Sequence, residues 1–354
     1  MKRTLLFLAA AMTLGGAFAQ NLNKKEAKAL MTYLAQPSAK GGTNAQALGI
    51  SASNVATAPG LTIENGHVVA IDWKGKDLAG DLNLSGFDAL TKVDVSDNKI
   101  ASLTVNADPV LYDLNAAKNR ISEISITDAP QMQNLRLQRN RIADFSLAGT
   151  PLLKKFNISG NVLEALNVSN LPDLEYLNVI GNRLDNLDVS MCTNLKNLYA
   201  GYNDLTSIEL QGLVKLENLN ITDNKIMKLY VQNLPALSTI MASGNHMTEM
   251  VVKDCEAINQ IWAPYNNLTA FSVTKAPALA FINLEWNNLT YLNLSNLNFL
   301  QQVNVANNQL LTLDVSFDPY LRTVNVANND MLSDFRCMGD PMLAHVIGYS
   351  DWDF

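Results

Sequence analysis

Residues 279–289 read LAFINLEWNNL, residues 300–310 read LQQVNVANNQL and residues 321–331 read LRTVNVANNDM, three segments that superpose at an offset of 21 residues. Each carries apolar residues at its first, fourth, sixth and eleventh places and asparagine at its ninth. Extending the offset to either side gives Asn98, Asn119, Asn140, Asn161, Asn182, Asn203, Asn224, Asn245, Asn266, Asn287, Asn308 and Asn329 without a break. Self-similarity at a fixed period of this size marks a chain of stacked units, each burying its apolar face on its neighbours.

The remaining columns fill in around each asparagine. Leu90 to Leu321 stand eight before, Val93 to Val324 five before, Val95 to Val326 three before, and Ile100 to Met331 two after. The sum, L-x-x-L-x-L-x-x-N-x-L, is the leucine-rich repeat pattern. The apolar residues five and three before alternate with polar ones, the period of a strand with one buried face. A second apolar pair follows five and seven after, as in Ile124/Ile126, Leu187/Val189 and Leu292/Leu294. Two extended segments and two turns leave no room for a helix in a coil of this length. Proline recurs eleven after (109, 130, 151, 172, 235, 277 and 319), where its fixed φ punctuates the return turn. The predicted fold is a right-handed, curved leucine-rich repeat solenoid. It has a parallel β-sheet on the concave face, short extended or irregular segments on the convex face, and a small helical N-terminal cap.

The asparagines themselves read as structural. At the strand end an inward amide, with donors and an acceptor, can satisfy buried backbone groups of its own and neighbouring coils.

The domain reading follows from the ends. Residues 1–19 have a basic start (Lys2, Arg3), an apolar run and a small-residue site at Ala17-Phe18-Ala19, which reads as a secretory signal peptide. Residues 20–70 form an N-terminal cap region: 23–36 (NKKEAKALMTYLAQ) is predicted helical, with Ala27, Leu30, Met31 and Leu34 on its apolar face, and a polar stretch runs on to about Pro59. The repeats occupy 71–335. Residues 336–354 form a C-terminal cap in which the register slips by one (Phe335, Cys337, Pro341, Leu343) and Trp352 closes the last coil. Three cysteines are too few and too far apart for a disulfide framework; Cys192 and Cys255 share a column three coils apart. The chain carries 26 basic and 33 acidic residues, net −7 at pH 7, and removing the leader makes it more acidic. Nucleic-acid binding, which needs a basic stripe, is therefore excluded. No stretch after the leader is long and apolar enough to cross a bilayer.

Segments such as LEYLNVIGNRLDNLDVSMCTN (174–194) and LQQVNVANNQLLTLDVSFDPY (300–320) resemble those of the bacterial internalin J-like leucine-rich repeat proteins, over roughly residues 68–343. The resemblance implies an exported or surface protein associated with adhesion, biofilm and host contact. Two departures stand out. Some members carry cysteine within the strand motif, where this chain has Val, Ala, Ile or Leu. Wall anchors or sorting domains are also common there, whereas this chain ends almost at its last repeat.

If the strand face binds a partner, its chemistry is written six, four and two before each asparagine, with the residue just before it at the rim. In the early coils these columns hold mixed charges: Lys92, Lys118, Arg136, Arg139 and Lys155 among Asp94, Asp97 and Asp113. In the later coils they hold Tyr176, Tyr199, Tyr202, Met241, Trp262, Tyr265, Phe281 and Trp286, with Glu285 beside the last and Asn220, Asn283 and Asn304 among them. Aromatic side chains supply large contact area with few rotors, which suits a recognition surface. The candidate ligand-binding residues are Tyr199, Tyr202, Met241, Trp262, Tyr265, Phe281, Glu285 and Trp286. The competing reading has each aromatic merely packing on its cross-strand neighbour.

Catalysis has little to rest on. His67, His246 and His345 lie many coils apart, and no zinc, phosphate-loop, nucleophile-elbow or calcium-loop motif occurs. No cofactor, metal or catalytic residue is expected. The function predicted is an exported, non-catalytic protein-recognition module, secreted, periplasmic or at the cell surface, adhering to a protein or glycoconjugate on a cell. The alternatives are glycan capture for nutrient uptake, which sugar-dependent tryptophan fluorescence would reveal, and an assembly role in the envelope, which self-association would reveal.

Overall fold

The computed structural model describes residues 22–147 and 149–349. The segment read as a signal peptide and Trp352 lie outside the described residues. The chain divides into two compact units, one ending at Leu163 and one beginning at Glu164.

The first unit opens with helix α1 (Lys24–Leu34), whose N-cap Asn23 accepts hydrogen bonds from the amides of Lys25 and Glu26. A short second helix, α2 (Asn44–Ala47), begins in a capping box between Thr43 and Gln46. It lies within the polar stretch that runs on to about Pro59. The buried face of α1 is Glu26, Leu30, Tyr33 and Leu34. Met31, expected in the core, is 41% exposed. The helix is rolled because two polar-tipped residues have partners inside. Tyr33 lies against Trp73 with centroids 6.0 Å apart, and the Glu26 carboxylate accepts from the Val68 amide at 2.8 Å and meets His67 Nδ1 at 2.9 Å.

A hairpin, β1 (Leu61–Glu64) and β2 (His67–Asp72), turns at Asn65 and Gly66, both with positive φ, as a two-residue connection requires. Strand β2 then pairs in parallel with Lys92–Asp94, and the sheet continues through Asp113–Asn115, Asn134–Arg136 and Lys155–Asn157. Between neighbouring repeats the register is the repeat period itself: Val93 faces Leu114, which faces Leu135, which faces Phe156.

The second unit repeats this arrangement. Among its described residues, parallel strands run from Tyr176–Asn178 through Phe281–Asn283 to Thr323–Asn325 and His345–Ile347. The last step has the one-residue slip, Val324 facing Val346. Pairing therefore runs on into the segment assigned to the C-terminal cap. In both units the column residues are inside, from Leu90, Val93, Val95 and Ile100 to Leu321, Val324 and Val326. The exception is Met331, the last of the column two after the asparagine, which is 68% exposed beside the register slip.

The second extended segment is a hydrogen-bonded sheet in some coils and irregular in others, and one column accounts for much of this. Where the residue six after the ladder asparagine is Thr104, Ser125, Tyr230, Val251 or Ser272, strands of five residues or more form. At Asn167 and Asp188 the side chain instead accepts from the amide two residues on, Ser169 and Ser190, at 2.9 Å each, and no strand forms. At Asn293 and Asp314 the same turn ends the strand after three residues. A local side-chain acceptor diverts the amide from the ladder.

The ladder asparagines are buried, save half-buried Asn140, and their hydrogen bonds are directional. In the second unit, Asn287 Oδ1 accepts from the Leu268 amide of the preceding coil at 2.9 Å. Its Nδ2 donates to the Ala263 carbonyl of that coil at 3.0 Å and to Leu284 of its own at 3.0 Å. In the first unit, Asn119 binds the Ile100 amide and the Val95 and Ala116 carbonyls likewise.

Three aspartates are also drawn inside or half inside. Asp108 and Asp318 are fully buried, each accepting from a backbone amide one coil earlier, Phe87 at 2.9 Å and Leu297 at 2.6 Å. Burial pushes the Asp108 carboxyl up to about 7. Burial, with Asp340 and Asp314 nearby, pushes Asp318 up to about 8. Asp340, half-buried, accepts from the Asp318 amide and is raised to about 6, again chiefly by burial.

Candidate functional site

The residues just before the ladder asparagines share a backbone conformation. In the second unit Gly181, Tyr202, Asp223, Gly244, Tyr265, Trp286, Asn307 and Asn328 all have φ between 52° and 67°. The chain must turn sharply out of the strand so that the next residue can point its amide inward. The left-handed region does this, and Gly, Asn and Asp enter it most easily. Tyrosine and tryptophan do not: Cβ crowds the following carbonyl, at roughly 1–2 kcal/mol per residue. Three of the eight places are nonetheless aromatic, and all three side chains face solvent: Tyr202 is 59%, Tyr265 60% and Trp286 49% exposed.

Adjacent coils bring Tyr265 and Trp286 together, with centroids 6.1 Å apart and ring planes 13° from parallel. Full eclipse would bring ring carbons to about 3.5–4 Å, so the pair is offset and each ring keeps part of a face open. Beside it, the Glu285 carboxylate accepts from Asn304 Nδ2 at 3.0 Å and Asn307 Nδ2 at 3.3 Å, and Asn328 Nδ2 donates to Asn307 Oδ1 at 2.7 Å. On the far side of the ladder the amides continue, with Gln309 Nε2 donating to Asn288 Oδ1 at 3.3 Å.

On the strand face itself, Met241 and Trp262 are register partners on neighbouring strands, and both are exposed. Trp262 Nε1 donates to Gln260 Oε1 at 3.1 Å, which fixes its ring across the strand. Next along the strands come Asn283 and Asn304. Each spends its Oδ1 on an amide two residues on, Glu285 and Ala306. Tyr199 and Phe281 are half-buried. Tyr199 packs against Tyr176 at 5.5 Å and 50°, and burial raises its phenol above the usual range. That pair fits the packing reading. Tyr202 is exposed three residues beyond Tyr199 in the same coil, apart from the Tyr265–Trp286 stack. The structure thus brings Trp262, Tyr265, Glu285 and Trp286 onto neighbouring coils, with Met241 at their edge.

Two features escaped the sequence reading. One is the left-handed backbone at the rim, although glycine, asparagine and aspartate in the same column signalled it. The other is a second exposed stack, Phe299 on Tyr320 at 5.7 Å and 7°, on the return turn. By contrast, the same surface of the first unit is charged and internally paired: Asp113 takes Arg136 at 2.6 Å and Lys92 at 3.8 Å. Among the described residues no cluster of three or more His, Cys, Asp or Glu is placed to hold a metal, and no helix is long and apolar enough to cross a membrane. The three thiols are free; Cys192 and Cys255 are buried and Cys337 half-buried.

No protein-family model and no curated protein sequence matches the chain. Solved structures do. The chain is similar to YopM, a leucine-rich effector protein from Yersinia pestis, at TM-score 0.62 and 22% identity over 79% of this chain and 77% of that one. It is similar to the internalin InlF from Listeria monocytogenes, at TM-score 0.56 and 17% identity over 95% and 97%. A third is the functional domain of InlJ from Listeria monocytogenes, which includes a cysteine ladder: TM-score 0.51, 19% identity, 86% and 67% covered. The fold is that of the bacterial leucine-rich repeat proteins, internalins among them.

Proposed function

We propose that the chain is an exported, non-catalytic recognition module that adheres to a protein or glycoprotein on a host or neighbouring cell. The observation that carries this reading is the set of exposed aromatic residues held in left-handed backbone at the rim of the second unit. Five of the eight places take glycine, asparagine or aspartate, whereas the three aromatic side chains are kept at a backbone cost, as Lys118 and Arg139 are at the same place in the first unit. Trp262 and Met241 extend the surface across the strands, and Glu285 with its amide partners gives it polar anchors. The leader at residues 1–19 supports export, and the likeness in fold to internalins supports a place outside the cytoplasm.

A capture experiment from host-cell and bacterial surface extracts tests the reading. Its baits are residues 20–354 and a Trp262→Ala/Trp286→Ala variant of unchanged circular dichroism. A defined surface component held by the first and lost by the second is the expected result. Equal capture by both would move the site off this face, and no capture by either would leave an assembly role in the envelope as the better account.

A further inference from the structure

The sheet face and rim of the second unit have a composition that narrows the ligand. The four outward columns between residues 176 and 328 contain no lysine or arginine, two acids (Asp223 and Glu285) and eleven asparagines or glutamines beside the aromatics. Protein-binding hot spots are enriched in arginine as well as in tryptophan and tyrosine. Phosphate-, sulfate- or carboxylate-bearing ligands call for the arginine fork or the lysine charge. This surface offers neither. What it offers is ring faces for C–H bonds, and amides that donate and accept to hydroxyl groups.

From this we infer that the rim formed by Tyr265 and Trp286 binds an uncharged carbohydrate chain, the glycan portion of the partner. The inference rests on the recognition reading above. The offset rings take the apolar face of a pyranose, Trp262 extends the platform across the strands, and Glu285 with Asn304 and Asn307 meets the hydroxyl edge. Glu285 is already held at both oxygens by these amides, at 3.0 and 3.3 Å. The carboxylate is thus oriented before ligand arrives and adds acceptor capacity without a cation beside it. Asn283 Nδ2, whose partner Oδ1 is spent on the Glu285 amide, has no hydrogen-bond acceptor among the described residues. A ligand hydroxyl would supply one.

The test uses the full chain in solution with cello-, chito-, xylo-, manno- and malto-oligosaccharides and with sialylated and sulfated glycans, read by calorimetry and tryptophan fluorescence. The variant is Trp286→Asn, which suits the left-handed position and should fold; Tyr320→Asn, on the separate stack, is the control. Binding of a neutral oligosaccharide, with a fluorescence change, weakened at least about tenfold by Trp286→Asn and unaffected by Tyr320→Asn, is expected. Binding of none of the neutral chains, preference for the charged glycans, or equal binding by Trp286→Asn would each overturn the inference. Periodate treatment of the surface extracts separates the two levels. Capture that survives loss of the glycans keeps the recognition reading and refutes the carbohydrate one, whereas capture absent from untreated extracts removes both.

Discussion

Trp286 and Asn287 are adjacent in the chain, yet opposite consequences are expected from changing them. In Asn287→Ala the Leu268 amide and the Ala263 and Leu284 carbonyls lose the side-chain partner that lies at 2.9–3.0 Å in the native coil. Each group left unpaired in a buried place costs about 1–3 kcal/mol. Water entering the vacated volume recovers part of this, so a net loss of about 3–6 kcal/mol is expected. Trp286→Asn removes a ring pair worth about 0.5–1.5 kcal/mol and relieves a left-handed aromatic of about 1–2 kcal/mol. These nearly cancel, and stability should change by less than about 1 kcal/mol. Urea unfolding followed by circular dichroism, with both variants beside the parent, measures the difference directly. If Asn287→Ala lost no more than Trp286→Asn, the amide ladder would not be what holds the coils. If Trp286→Asn lost several kcal/mol, the rim tryptophan would be a packing residue and the argument for its being kept for a ligand would collapse.

Three other outcomes follow. The folded Asp318 carboxyl titrates near 8, above its ordinary range, so the folded state binds more protons than the unfolded one. Its contribution to stability should therefore be full below about pH 4 and be lost as pH rises through 8; Asp318→Asn should gain on the parent between pH 5 and 8, and a gap that stays constant would refute this. The Tyr33 hydroxyl is buried with no hydrogen-bond partner among the described residues, and burial raises its pKa. Tyr33→Phe keeps the stack on Trp73 and should raise stability by about 1 kcal/mol in the same unfolding assay; a loss would show that the hydroxyl has an unseen partner. Burial lifts all three thiols above their usual range, Cys192 to about 11. A thiol reagent followed by peptide mapping should label half-buried Cys337 first, and early labelling of Cys192 would mean that its coil opens.

What could be read from sequence tracks how often each signal is repeated. The strands, the inward columns and the asparagine ladder recur twelve times, so single departures such as Phe156 or Met132 do not obscure them. The cap has no such redundancy. The helix expected over 23–36 runs over Lys24–Leu34, but its buried face is rolled because the partners of Glu26 and Tyr33 come from β2 and Trp73, distant in sequence. Helix α2 was announced by Thr43 and Gln46 alone, a signal short enough to pass for loop. The patchwork of the second sheet depended on which coils place Asn or Asp before a serine, a rule of single residues that averaging over repeats conceals. At the candidate surface, sequence located the aromatic columns. It did not distinguish the half-buried Tyr176–Tyr199 pair from the open Tyr265–Trp286 pair: the first meets diagonally from two different columns of adjacent strands, the second shares the rim column.

The one-way stitching of the coils has a consequence for how the solenoid is assembled. Within each unit, among the described residues, ladder amides such as Asn119 and Asn287 reach back to the preceding coil. A chain emerging from its N-terminal end therefore brings the fastener with the newest coil and finds the complementary amide and carbonyl already in place. Growth is like a ratchet, each click completed by the arriving segment without waiting for anything downstream. Run from the other end, the same coil would hold a fastener with nothing to grip. The sequence thus encodes a direction of travel as well as a shape.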